Sequence, residues 1–213
     1  MAVRSPQVRW RRSPSTRTSH RSSSACAGKR CRNPRSPRRR RSWSPRARSV
    51  GLDVGTSILA LAGALASRRD LRVFTNNLRV SMLMADGKSN VYILGGQVRW
   101  PEYSVIGPQA VEALKSHFLD KVFIGVSGLD PSGFYDYSPE DTEVKRAFIA
   151  NAGSVIVLCD SSKFGRRALS RIVPLEKVNI LVTDAPPPPI SPPHWASAVS
   201  GSSWPHDALM PRE

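Results

Sequence analysis

Cysteine is scarce in this chain of 213 residues. Cys26, Cys31 and Cys159 are too few for a disulfide framework, and Cys159 lies in an apolar run where a buried reduced thiol is expected. Cys26 and Cys31 have no second Cys/His pair at zinc-finger spacing, and the lone His20 completes no site, so no metal is expected. No cofactor is expected either. Apolar runs are short. None approaches about 18 uninterrupted residues, so no helical membrane span is expected. The start of the chain has no apolar core of the kind secretory signals carry, and the expected location is the cytoplasm. Acidic residues are absent from residues 1–48, which hold 16 of the 32 Lys/Arg. Residues 49–213 hold the other 16 together with all 16 Asp/Glu. The net charge of +16 therefore belongs to a leader, and the rest of the chain is neutral.

Aliphatic residues are also rare in the leader, 1–48, which is mostly Arg, Ser and Pro. It cannot bury enough apolar surface to offset chain entropy, so disorder is expected. Two readings stand. Clustered Arg can neutralise nucleic-acid phosphates without reading sequence, and the tract from Pro34 to Arg41 resembles nuclear-targeting or Arg/Ser-type segments. Alternatively, GC-rich DNA read from a false start or in another frame gives the same mixture, and the lack of any pattern favours this reading. Residues 186–213 pose the same choice. Four prolines from Pro186 to Pro189, then Ser191, Pro192 and Pro193, impose an extended segment and not a helix. A proline-rich recognition tail and a second frame slip both remain open, and the tail is expected to be irregular.

Between these ends, residues 49–185 alternate strand and helix. Gly51-Leu-Asp-Val-Gly-Thr-Ser57 is a short apolar segment that turns on Gly55 into a helical run, Ile58–Ser67. Leu71–Thr75 reads as a strand, with Asn76 and Asn77 as a turn and cap before a helix over Leu78–Met84. Val91–Leu94 is a strand that stops at Gly95-Gly96, and an extended piece carries Val98, Trp100 and Tyr103. A helix is expected over Gln109–Leu119, with Pro108 at a tolerated early position. A strand follows over Val122–Val126, then a loop over Ser127–Ser138. Glu140, Asp141 and Glu143 start a helix that runs to about Ala152. Strands over Ser154–Cys159 and Asn179–Asp184 complete the pattern. Runs such as VFIGV and SVIVLC are apolar without alternation, as strands covered on both faces are. That predicts an α/β fold, a mainly parallel sheet flanked by helices.

In such sheets the ligand crevice lies beyond the carboxyl ends of the strands. Five polar or glycine-rich pieces fall there: DVGTS, TNN, GG, SGLD and DSSKFG. One alone would be a turn or a cap. Five at equivalent places favour a pocket. Hydroxyls and free N–H groups at a helix start make the first of these a seat for an anion such as phosphate.

LDVGTS, VFTNN, ILGGQVR, IGP, DKVFIGVSGLD, EVKRAFI and VIVLCDSSKFGRRAL, in this order, resemble the C-terminal sensor domain of the DeoR family of bacterial transcription regulators. The resemblance implies a fold like that of sugar-phosphate isomerases and a phosphorylated sugar or related metabolite as effector. It also implies a separate helix-turn-helix domain for the operator, and effector binding that relieves repression. Carried over, Asp53, Gly55, Thr56 and Ser57 would form the phosphate-side loop, and Asn76 the sugar side. Gly95 and Gly96 would allow close backbone approach. Asp130, Asp160 and Lys163 would close the pocket. Lys163 could pair with a phosphate or stand as a surface lysine, and Lys121 is read as structural. A homo-oligomer is expected.

The chain departs from the family at both ends. Nothing in 1–48 has the periodicity of a helix-turn-helix, so operator binding by this chain is doubtful. After Asp184 the prolines replace the helix and last strand of relatives. An isomerase-like enzyme is the alternative, with Asp130 or Glu143 as candidate bases. The isomerases carry two carboxylates in Asp-Gly-x-Asp. Ser127-Gly-Leu-Asp130 retains the second alone, and no Lys-Gly-Gly follows it, so no enzyme is expected. A nonfunctional remnant is the third reading.

Overall fold

A computed structural model describes residues 48–87 and 89–185, and the backbone of 196–199. The expectations for the leader 1–48, Arg48 excepted, and for the rest of the tail 186–213 lie outside these residues.

The strands are β1 (Arg48–Leu52), β2 (Leu71–Thr75), β3 (Asn90–Ile93), β4 (Gln97–Arg99), β5 (Ser104–Ile106) and β6 (Lys121–Gly125), followed by β7 (Gly128–Asp130), β8 (Gly133–Asp136), β9 (Val155–Leu158), β10 (Ser170–Val173), β11 (Ile180–Thr183) and β12 (Ala196–Val199). The helices are α1 (Thr56–Leu65), α2 (Leu78–Ala85), α3 (Pro108–Lys115) and α4 (Pro139–Ala150). Among the described residues, seven strands form one sheet in the order β12-β11-β9-β6-β1-β2-β3. Every pairing in it is parallel. This is the α/β fold expected.

Side chains of successive strand residues alternate between the sheet's two faces. Val122 and Ile124 of β6, with Val155 and Val157 of β9, join the core that includes Ala110 and Leu114 of α3 and Val144 and Phe148 of α4. Phe123, Ile156 and Leu158 join the other core, with Ile58, Leu61 and Leu65 of α1 and Val80 and Met84 of α2. An unbroken apolar strand is therefore one that feeds two cores. Gly51 fits the same scheme. A Cβ there would sit 2.9 Å from the Phe148 ring, so its absence lets α4 pack close to β1.

The helix starts follow local chemistry. The Asn77 side chain accepts from the N–H groups of Arg79 and Val80 and caps α2. Ser138 accepts from the Asp141 N–H and caps α4, with Pro139 at its start. Helix α3 ends at Lys115, one turn before the expected Leu119.

Three expectations need correction. Ser127–Ser138 is not a plain loop. It holds the β7–β8 hairpin, which with β10 forms an antiparallel sheet of three strands. These strands are too short, and too interrupted by Gly128, Pro131 and Gly133, to show a period of two. The extended piece after Gly96 is a second hairpin, β4–β5. The tail is not irregular throughout, because β12 pairs in parallel with β11 at the sheet edge. Parallel pairing needs a long connection, which residues 184–195 provide, and backbone bonds alone suffice to hold a short edge strand.

Candidate functional site

The strand order reverses between β1 and β6. From β1 the chain passes through α1 to β2 on one side, while β6 and β9 lie on the other. A crevice forms at such a point, beyond the carboxyl ends of the strands. There the structure has a hollow of about 360 Å³. Val54, Gly55, Thr56 and Ser57 line it after β1, Gly125, Val126 and Ser127 at β6, and Leu158 and Lys163 at β9. Asp136 to Asp141 and Lys145 line it from β8 and α4, and Arg99 and Glu102 from the β4–β5 hairpin.

Gly55 turns the chain into α1 with φ 136°, in the region that favours glycine. No side chain caps α1 and no acidic residue lies in its first turn. Its leading N–H groups and the positive end of its dipole therefore face the hollow without a protein acceptor. Gly125 permits the turn's position, since a Cβ there would lie 2.5 Å from the Val54 carbonyl oxygen. Lys163 follows β9 in a short 3-10 turn, and its Nζ donates to the Val126 carbonyl at 2.9 Å. It makes no ion pair among the described residues. The DVGTS and DSSKFG turns thus open on one hollow.

The other two lining cations are engaged. Lys145 Nζ donates to the Asp53 carboxylate, to the Gly125 carbonyl at 3.0 Å, and pairs with Asp136 at 3.2 Å. These three partners match its three N–H groups. Burial works against the Lys145 charge, but Asp53 and Asp136 outweigh it and hold the ammonium above its ordinary range. Burial pushes Asp53 up to about 6, against the pull of Lys145. Arg99 pairs with Asp141 at 2.6 Å and with Glu102 at 2.9 Å, fastening the hairpin to the start of α4.

Of the residues expected at the site, Gly55, Thr56, Ser57 and Lys163 line the hollow, and six do not. Asp53 is wholly buried beneath it and reaches it through Lys145. Asn76 is wholly buried too, with neither side-chain polar atom hydrogen-bonded. Gly95 is open to solvent, and Gly96 serves the hairpin, since a Cβ there would meet the Ile106 carbonyl oxygen at 2.3 Å. Asp130 is tied to Arg167 and to the Ser132 N–H. Burial opposes its charge, and those bonds outweigh it and hold the carboxyl below its ordinary range. Asp160 caps the 3-10 turn by accepting from the Ser162 N–H, which lowers its pKa.

Arg99, Glu102, Asp136, Tyr137, Ser138, Glu140, Asp141 and Lys145 were not among the expected site residues. Lys145 had a signal: it lies one residue from Val144 and three from Phe148, on the apolar stripe of a helix.

The description "DeoR C terminal sensor domain" matches residues 43–185. The Glycerol-3-phosphate regulon repressor of Escherichia coli (strain K12) is 34% identical over 146 residues, 68% of this chain and 58% of that protein. The HTH-type transcriptional repressor GlcR of Bacillus subtilis (strain 168) is 33% identical over 139 residues, 65% of this chain and 54% of that protein. The chain thus spans somewhat more than half the length of these curated relatives. Among solved structures, ribose 5-phosphate isomerase A from Methanocaldococcus jannaschii is 15% identical, covers 57% of this chain and 48% of its own, and has a TM-score of 0.40. That overlap is too partial to bear on function.

Proposed function

We propose, for a chain that belongs to the DeoR C-terminal sensor family, that the hollow binds a phosphorylated sugar and that its occupancy sets the state of a transcription regulator. One observation carries the reading: the uncapped start of α1 and the unpaired Lys163 ammonium line the same hollow at the reversal of strand order. Backbone N–H groups, a helix dipole and a lysine together suit a phosphate. The carboxylates and hydroxyls on the α4 side can accept from sugar hydroxyls.

The relatives named above are repressors, which supports the regulatory half of the proposal. In this reading the effector favours one arrangement of paired sensor domains over another in the bacterial cytoplasm, and so shifts control of sugar-metabolism genes. The domain acts as a binder and not as an isomerase. Neither Asp130 nor Glu143, the candidate bases, lines the hollow.

Thermal melts of the full chain with glycerol 3-phosphate, ribose 5-phosphate, glucose 6-phosphate and inorganic phosphate test the proposal. A ligand at a hundred times its Kd stabilises by about 2.7 kcal/mol. At least one sugar phosphate should raise Tm, and Lys163→Ala should abolish that gain. No rise with any phosphate compound would contradict the reading. Turnover of ribose 5-phosphate above background would revive the enzyme.

A further inference from the structure

We propose that the ligand carries an ammonium group at the end away from its phosphate, as an amino-sugar phosphate does. The inference rests on the sugar-phosphate reading above and names the ligand class more narrowly.

It starts from Asp141, whose side chain is 1% exposed and which lines the hollow. Its Oδ2 accepts from Arg99, while its Oδ1 is buried and has no hydrogen-bond partner among the described residues. A buried carboxylate oxygen without a donor is costly, and a ligand that brings one relieves that cost. Glu140 lines the hollow beside it. It accepts from the Ser138 hydroxyl at 3.0 Å and makes no ion pair among the described residues. Hydrogen bonds from its own N–H and from Ser138 hold Glu140 below the usual carboxylate range, so it is ionised at neutral pH.

Charge decides between an ammonium and a hydroxyl as the donor. The lining holds three cations, Arg99, Lys145 and Lys163, and four carboxylates, Glu102, Asp136, Glu140 and Asp141. Arg99 and Lys145 are already paired with carboxylates. A phosphate at the start of α1 occupies Lys163, which leaves the α4 wall with unmatched negative charge. A second phosphate or a carboxylate there is repelled. A hydroxyl satisfies Asp141 Oδ1 without answering the charge. An ammonium does both, through charge-assisted bonds that are roughly twice as strong as neutral ones.

Titration calorimetry of the full chain at pH 7 tests this with three probes: glucosamine 6-phosphate, glucose 6-phosphate and fructose 1,6-bisphosphate. The amino sugar should bind about five- to tenfold tighter than its neutral counterpart, and the bisphosphate weakest. In Glu140→Gln the ratio of the first two Kd values should fall toward one. Asp141→Asn should lower it too, but that change also loosens Arg99, so the exposed Glu140 is the cleaner probe. Lys163→Ala should weaken both probes and keep their ratio. Equal or reversed affinities in the unaltered chain, or a ratio untouched by Glu140→Gln, would overturn the inference while leaving the sugar-phosphate reading intact. If none of the probes binds and no phosphate compound raises Tm, both fall.

Discussion

Lys145, in the middle of α4, forms an almost wholly buried ion pair with Asp53, the residue that follows β1. The same ammonium holds the Gly125 carbonyl at the end of β6 and Asp136 at the end of β8. One side chain thus fixes the three chain segments that shape the hollow.

Replacing Lys145 by Met leaves Asp53 buried without its cation. Breaking a buried pair in this way costs about 3–5 kcal/mol. Lys145 lowers the pKa of Asp53, which still stands at about 6 against an ordinary 3.8, and without Lys145 it rises further. A raised carboxyl pKa means that the folded state holds a proton the unfolded state has released, so its contribution is present at low pH and lost as pH rises through the folded pKa. The Lys145→Met deficit should therefore be larger at pH 7.5 than at pH 5. Urea denaturation of both proteins at the two pH values checks this, and an equal deficit would mean that Asp53 is not the group left stranded.

Two glycines should respond in opposite ways. Gly125→Ala drives a Cβ to 2.5 Å from the Val54 carbonyl and displaces the turn that carries Thr56 and Ser57. It should cost about 1–3 kcal/mol and weaken sugar-phosphate binding. A Cβ on Gly95 meets nothing within 4 Å, so Gly95→Ala should stay within about 0.5 kcal/mol and leave binding unchanged. Melts with and without ligand decide both.

Cys159 should be inert in the folded chain. Burial pushes its thiol up to about 12, so almost no thiolate forms at pH 8. Iodoacetamide at that pH, followed by peptide mass mapping, should leave Cys159 unmodified until denaturant is added. Modification of Cys159 without denaturant would show that this end of the sheet opens readily.

Much of this fold is readable from the sequence, because its signals are local. Leu71–Thr75 and the strand before Cys159 are unbroken apolar runs, and Asn77 caps α2 from the position its type favours. The hollow is readable too, because strand ends and glycine turns coincide at DVGTS and DSSKFG. The β7–β8 hairpin is not, since three or four residues between glycines carry no period. Half the site is hidden for a different reason. Lys145 and Asp53 are 92 residues apart, and nothing around either names the other. Arg99 meets Asp141 across 42 residues in the same way. Asn76 and Asp130 look like site residues by position. Their side chains are drawn inward instead, Asn76 into the protein interior and Asp130 onto Arg167.

The amide resonances of Thr56 and Ser57 test the central claim most directly. The full chain, titrated with a sugar phosphate that raises its Tm, should show these two amides shifting with the same Kd as the thermal effect. Lys163→Ala should weaken that response. Binding that leaves both amides unmoved while signals elsewhere on the molecule shift would contradict the account.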